Sequence, residues 1–168
     1  MAAAITAGCV VRGLAITLAS VIGVHPCLGA AQLPPAHRLT LADALMLIDA
    51  AQREAGSKNY RMSFAVVDGR GDVIAVARMP EAGSDTPDSA TGKAMLSAIF
   101  GRSSGSLARI SASPLGQGLY EASGGRLRFA QGALPIVRDG FTIGAIGAAG
   151  GTEQQDEDMV RVALAATR

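Results

Sequence analysis

Apolar residues along the first half of the chain recur at helical spacing in two segments and form continuous β-rich runs in two others. A helix is predicted to begin after Thr40 and to end at Gly56, with one face formed by Leu41, Ala44, Leu45, Ile48 and Ala51. Two β-rich runs, Met62 to Asp68 and Val73 to Arg78, flank a glycine-containing turn and predict a hairpin. A second helix is predicted from Pro87 to Phe100.

In the second half, a weakly patterned stretch comes first, and a hairpin and a helix follow it. From Gly101 to Gly132 only a short helix, around Ser104 to Ile110, is predicted before a loop rich in glycine and serine. A second hairpin follows, with strands Leu134 to Arg138 and Phe141 to Gly147 around the turn Asp139-Gly140. Thr152 is the predicted N-cap of a final helix whose first turns are acidic.

Every predicted strand pair closes through a tight turn, so no parallel crossover is needed. The predicted fold is therefore α+β, a single antiparallel sheet flanked by helices. Gly92, Gly144 and Gly147 lie inside predicted elements, where a glycine weakens the element unless another backbone comes close. We expect close packing at these three positions.

Residues 1–31 have the pattern of a signal peptide. Arg12 precedes an apolar run from Leu14 to Val24, and a small-residue stretch ends at Ala31. As a helix this run would be about 16 Å long, roughly half of a bilayer core, so we expect cleavage after Ala31 rather than a retained membrane span. The prediction is a periplasmic or secreted protein with a leader at residues 32–38 and one domain at residues 39–168.

Removal of 31 residues from 168 leaves 137, and it changes the available chemistry. Both cysteines and His25 are lost, so disulfides, thiolate metal sites and sites of several histidines are excluded, and His37 is the one histidine left. Fourteen basic residues then face fourteen acidic ones, which gives no indication of a nucleic-acid partner. A near-neutral, apolar surface of this kind predicts a homo-oligomer.

Several of these pieces, in this order, resemble the GlcG/HbpS-like haem-binding family, which includes the C-terminal domain of the PduO corrinoid adenosyltransferase. The resemblance covers about residues 39–168. It is carried by Leu39 to Ala44, Ala65 to Asp68, Lys93-Ala94, Phe100 to Arg102, and above all Gly132, Pro135-Ile136, Asp139-Gly140, Gly144 to Gly147, Gly150-Gly151 and Gln155 to Glu157. It implies an α+β domain that forms symmetric oligomers, binds haem and, in some exported members, is the partner of a membrane sensor kinase.

The resemblance places a haem site near Met79 and the corner at Gly101 to Ser104. The predicted haem-binding residues are Met79, Lys93, Arg102, Ser103, Ser104 and His37. Many relatives have Pro-Thr where this chain has Ser103-Ser104, and the domain body has no histidine, so the iron ligand stays open. Tyr120 and Met95 are further candidates, because phenolate and thioether groups can ligate haem iron.

Three other motifs fail their structural context. Gly101 to Gly105 matches the G-x-S-x-G hydrolase elbow, but a helix is predicted before it and no histidine follows. The glycines before the acidic final helix are unsuited to phosphate. Four aspartates could gather around a cation but have no calcium-loop spacing: Asp68, Asp72, Asp85 and Asp88. No catalytic residue is assigned. Besides haem storage or sensing, two hypotheses stay open: an enzyme or accessory factor for a small metabolite of glycolate or diol metabolism, and a signalling module that docks on a membrane protein.

Overall fold

The computed structural model describes residues 38–167, so the predicted signal peptide, most of the leader and His37 lie outside the described residues. Helices and strands within this range follow in the order α1 (Leu41–Ser57), β1 (Ser63–Asp68), β2 (Val73–Arg78), α2 (Thr86–Phe100), α3 (Ser104–Leu107), α4 (Pro114–Ala122), β3 (Ala133–Arg138), β4 (Phe141–Ala149) and α5 (Glu153–Ala166).

The four strands form one antiparallel sheet in the order β2-β1-β4-β3. Two hairpins supply the outer pairs, and β1 joins β4 in the middle, where Ala65 pairs with Gly147. Asp139 and Gly140 both have positive φ, at 50° and 80°, as a two-residue hairpin turn of type I′ requires. The predicted α+β class with a single antiparallel sheet is confirmed.

Helices α1 and α5 cover one face of the sheet. Side chains from β1 and β4 point toward them in alternation, among them Phe64, Val66 and Ile146, all fully buried. The predicted buried face of α1 needs one correction: Leu41 and Leu45 are 56% and 53% exposed. The buried stripe consists instead of Ala44, Leu47, Ile48, Ala51 and Ala55.

Helix α2 covers the opposite face and lies very close to the strands. A side chain at Gly147 would place its Cβ 2.4 Å from the carbonyl oxygen of Ala90 on α2. Gly144 is close to the neighbouring strand instead, because its Cβ would lie 2.3 Å from the carbonyl oxygen of Val67 on β1. Both distances are far below van der Waals contact, so the predicted close packing at these glycines is confirmed. The core on this face is correspondingly small, with many alanines.

The segment between α2 and β3 is more ordered than its sequence indicates. After α3 and a short 3-10 turn, Pro114–Ala122 form α4, where a glycine- and serine-rich loop was predicted. Ser113 caps this helix by accepting a hydrogen bond from the Gly116 amide, and Pro114 occupies its first turn. A Cβ at Gly116 would lie 2.0 Å from the carbonyl oxygen of Ile110, so this glycine is required by packing.

Candidate functional site

Lys93, one of the predicted haem-binding residues, is buried on α2 and forms an ion pair. Its Nζ lies 2.6 Å from Oδ2 of Asp156 on α5 and 3.1 Å from the carbonyl oxygen of Ala148 on β4. The amide of Gly151 donates to the other carboxylate oxygen of Asp156. Lys93 therefore joins α2, β4 and α5, and its charge is already balanced inside the protein.

The carboxyl group of Asp156 is 3% exposed. Burial raises the pKa of Asp156, because removal from water disfavours the charged form by more than the bonds from Lys93 and Gly151 favour it. The Asp156 carboxylate, paired with Lys93, therefore links α5 to α2 across the sheet.

Ser103 and Ser104 lie together at the start of α3 and bind backbone groups. Ser104 is fully buried, and its hydroxyl accepts a hydrogen bond of 3.0 Å from the Ala133 amide at the start of β3. Ser103 is the N-cap of α3 and accepts from the Ser106 amide. The Ser104 hydroxyl thus holds the corner to the sheet, and the Ser103 hydroxyl stabilises the start of α3.

Arg102 and Met79 occupy different parts of the surface. Arg102 is exposed, and its carbonyl oxygen accepts a hydrogen bond from Ser97. Met79 follows β2 and packs, half-buried, against the core under α1 and α5, on the other face of the sheet from α2. The structure therefore brings Lys93, Ser103 and Ser104 to the same side of the sheet but leaves Met79 apart from them. Their haem-binding role stays a prediction.

A groove on the outer side of α2 gathers a different set of residues. It has a volume of about 280 Å³ and is lined by Asp88, Thr91, Gly92, Met95, Gly125, Arg126 and Arg128. Asp88, Gly92 and Met95 repeat at helical spacing on α2, and the other wall is the segment that leads into β3. A Cβ at Gly92 would lie 2.2 Å from the carbonyl oxygen of Arg126, so this glycine lets the wall lie directly on the helix.

Backbone carbonyl groups hold both arginines of the groove. Arg126 Nε donates to the Ser123 carbonyl at 3.1 Å, and Arg128 Nη1 donates to the Gly125 carbonyl at 2.6 Å. Within residues 38–167 neither guanidinium has a carboxylate partner. Each keeps further N–H donors, since a guanidinium has five. The groove thus carries two oriented cations that form no ion pair with a described carboxylate, and Asp88 is the one acidic residue of the same lining.

Sequence reasoning missed both arginines of this groove. They alternate around Leu127, directly after the glycine pair Gly124-Gly125, and Leu127 is buried while Arg126 is exposed. That alternation was a usable signal. The groove could not be predicted because its second wall includes Met95, which lies some thirty residues earlier in the chain. Only the packing at Gly92 brings Met95 close to the two arginines.

An apolar surface continues from the groove toward the edge of the sheet. Met95 and Ile99 both border Gly71, lying 3.8 and 3.7 Å from where its Cβ would be. Val73 and Val76 pair with Val67 and Ala65, which face α2, so they lie on the same side. Ile99, Val73 and Val76 are 50%, 52% and 42% exposed.

The described residues contain neither a membrane-spanning helix nor a metal-binding cluster of side chains. No helix among them is both long and apolar enough to cross a bilayer. They also contain no group of three or more histidine, cysteine, aspartate or glutamate side chains placed to hold a metal ion.

A family model described as haem degrading protein HbpS-like matches residues 39–165. The chain belongs to this HbpS-like family. A curated relative from Citrobacter freundii, an uncharacterized 15.0 kDa protein in the dhaT-dhaS intergenic region, is 28% identical over 127 residues, which are 75% of this chain and 89% of the relative. The family resemblance inferred from the sequence is confirmed.

Solved structures of HbpS-like proteins are similar in fold. Klebsiella pneumoniae ORFY gives a TM-score of 0.73 at 26% identity, covering 83% of this chain and 94% of its own. A double mutant of Streptomyces reticuli HbpS gives 0.71 at 25% identity, covering 97% and 98%. A complex of PduOC with heme gives 0.69 at 27% identity, covering 77% and 94%. Family resemblance thus supports haem as the cofactor.

The groove on α2 provides groups that suit haem. Described residues include neither histidine nor cysteine, so the soft iron ligands available to them are thioethers, and Met95 lines the groove. Guanidinium groups that form no ion pair with a described carboxylate suit carboxylates such as the haem propionates. The volume, about 280 Å³, is just under the roughly 300–1,000 Å³ typical of sites for drug-sized ligands. A haem would therefore extend over the apolar surface beside Ile99.

Proposed function

We propose that this protein binds haem on the outer side of α2. The observation that carries the proposal is the groove itself, where two cations without carboxylate partners border an apolar surface. Haem has the complementary character, an apolar ring with two carboxylates at one edge. Membership of the HbpS-like family and the similarity to the PduOC:heme complex support the same ligand.

A hemin titration of the purified protein tests this function. The expected result is a shifted Soret band that saturates at one haem per chain. Albumin and buffer alone serve as references for specific and nonspecific uptake. A Soret change that rises linearly with added hemin, without saturation, contradicts the proposal.

We further propose that the protein is exported, assembles as a homo-oligomer, and stores haem or reports it to a membrane sensor. The signal-peptide pattern of residues 1–31 supports export. Leu41 and Leu45 support association, because these two exposed leucines lie one turn apart on α1 and form an apolar patch of the kind found at interfaces. Cell fractionation with N-terminal sequencing tests export, and Gln32 is the expected first residue. A monomer by light scattering at micromolar concentration contradicts the oligomer.

A second function is favoured by the small volume of the groove. Asp88 lies in the same groove as Arg126 and Arg128, so opposite charges could fix a small hydroxycarboxylate at a site of about 280 Å³. Thermal unfolding in the presence of short hydroxycarboxylates separates the two functions. A rise in melting temperature with these compounds, together with no saturable hemin binding, favours the metabolite.

A further inference from the structure

The groove on α2 allows the haem contacts to be assigned to individual residues. We infer that the sulfur of Met95 ligates the haem iron and that Arg126 and Arg128 bind the propionates. This inference rests on the proposed haem binding and moves the contacts away from the corner formed by Ser103 and Ser104.

Met95 is suited to the iron for chemical and positional reasons. Of the thioethers named above, Met79 packs against the core under α1 and α5, whereas Met95 lines the groove. Met95 is 7% exposed and sits on a helix whose close contact with the sheet limits its movement. A ligand held on a rigid element in a largely dry position binds without a large loss of conformational entropy.

The polarity of the surface fixes the direction in which haem lies. Arg126 and Arg128 form one end of the surface. The half-exposed Ile99, Val73 and Val76 form the other end, and Met95 lies between the two ends. Propionates reach the arginines while the apolar ring edge covers the aliphatic side chains.

Arg126 and Arg128 are prepared for this role before any ligand arrives. Backbone carbonyls from Ser123, Gly125 and Leu127 fix one edge of each guanidinium. Their other donors are available for a carboxylate, and a guanidinium can give it two parallel hydrogen bonds. Gly92 holds this segment against α2, so the cations and the Met95 sulfur keep a fixed relation to one another.

Methionine-to-leucine variants test the iron ligand. Met95→Leu conserves volume, so folding is expected to persist, and Met79→Leu removes the competing thioether that the sequence predicts, on the other face of the sheet. Iron X-ray absorption of the haem-loaded protein is expected to show a sulfur neighbour in the wild type and in Met79→Leu, but none in Met95→Leu. The Soret maximum should shift in Met95→Leu alone. A sulfur neighbour that persists in Met95→Leu overturns the assignment.

Arginine variants test the propionate contacts without touching the core. Arg126→Gln combined with Arg128→Gln is expected to raise the hemin Kd roughly tenfold or more, since charge-assisted hydrogen bonds are lost. Arg53→Gln, at an exposed arginine on α1, is the control and should leave the Kd unchanged. With the dimethyl ester of haem, the wild type and the double variant should bind equally. An unchanged hemin Kd in the double variant overturns the inference, even if Met95→Leu fails to fold.

The two levels of the proposal fail differently. Saturable hemin binding that ignores both sets of variants rejects the site on α2 and leaves haem binding in place. Absence of saturable binding in the wild type rejects both.

Discussion

The two faces of the sheet are built from different materials. Under α1 and α5 the core consists of large apolar side chains such as Phe64, Ile146 and Met159. Under α2, alanines and the close-packed Gly147 lie beside fewer large side chains, such as Val67 and Leu96. Buried polar groups are also found there: Ser63, Thr86, Lys93, Ser97 and Ser104. Large side chains fill space, whereas small ones allow the backbones to approach until hydrogen bonds and one ion pair join the layers.

Because of this difference, the two faces contribute to the structure in different ways. The apolar face provides the burial that drives folding, in proportion to the area removed from water. The α2 face fixes an irregular segment, residues 101–132, whose own sequence has little regular pattern. The groove with Arg126 and Arg128 lies on the outside of this second face, so its geometry depends on the polar contacts beneath it.

The largest expected effect comes from breaking the buried pair on the α2 face. Lys93→Met leaves Asp156 buried without a cation, and the free energy of unfolding should fall by about 3–5 kcal/mol. Urea unfolding measures this loss. Because burial raises the pKa of Asp156, its carboxyl group can take up a proton, so the loss should shrink as the pH is lowered.

Arg53→Met is the matched control for the buried pair. Arg53 lies 2.7 Å from Asp49 on α1, with side chains 73% and 59% exposed. Loss of such a surface pair should cost at most about 1 kcal/mol. If the two variants lose equal stability, the α2 face has no special dependence on its polar contacts.

A smaller effect is expected from widening the gap between α2 and the sheet. Gly147→Ala sets a Cβ against the backbone oxygen of Ala90, and the resulting shift should cost about 1–3 kcal/mol in thermal or urea unfolding. Gly118→Ala in α4 meets no atom within 4 Å and should instead stabilise by up to about 1 kcal/mol. The same sign for both substitutions would refute the close approach.

The smallest expected effect concerns the start of α1 on the apolar face. The Thr40 amide and hydroxyl donate to the Asp43 carboxylate and hold the pKa of Asp43 below its usual value of 3.8. A lowered pKa in the folded state contributes stability above the unfolded value, and this is lost as the pH falls through the folded one. For this partly exposed group we expect less than about 1 kcal/mol.

Urea unfolding of Asp43→Asn between pH 7 and pH 2 isolates that contribution, because the amide does not titrate in this range. The wild type should lose stability relative to the variant in acid. A difference between them that is independent of pH would contradict the assignment. Asp156 has the opposite sign: its raised pKa gives a contribution that is present in acid and is lost as the pH rises through the folded value.

Local chemistry made the regular elements predictable. The turn at Asp139-Gly140, the N-caps Thr40 and Thr152, and the apolar runs of β1 and β4 depend on residues close together in the chain, so the sequence predicts them directly. Helix α4 was missed although Ser113 and Pro114 mark its start, because Gly116 and Gly118 lower helix propensity. Packing against Ile110 is what requires Gly116 there.

The sequence alone determined the family, the α+β class and the glycines that need close neighbours, since these depend on order, spacing and backbone conformation. Only the tertiary structure decided how its charged and soft groups are used. It pairs Lys93 with Asp156, sixty-three residues apart, and turns Ser104 to the backbone of β3. It also brings Met95 beside Arg126 and Arg128. Packing between segments that are far apart in the chain decides these partners. A spacing pattern along the chain does not show which distant segments pack together.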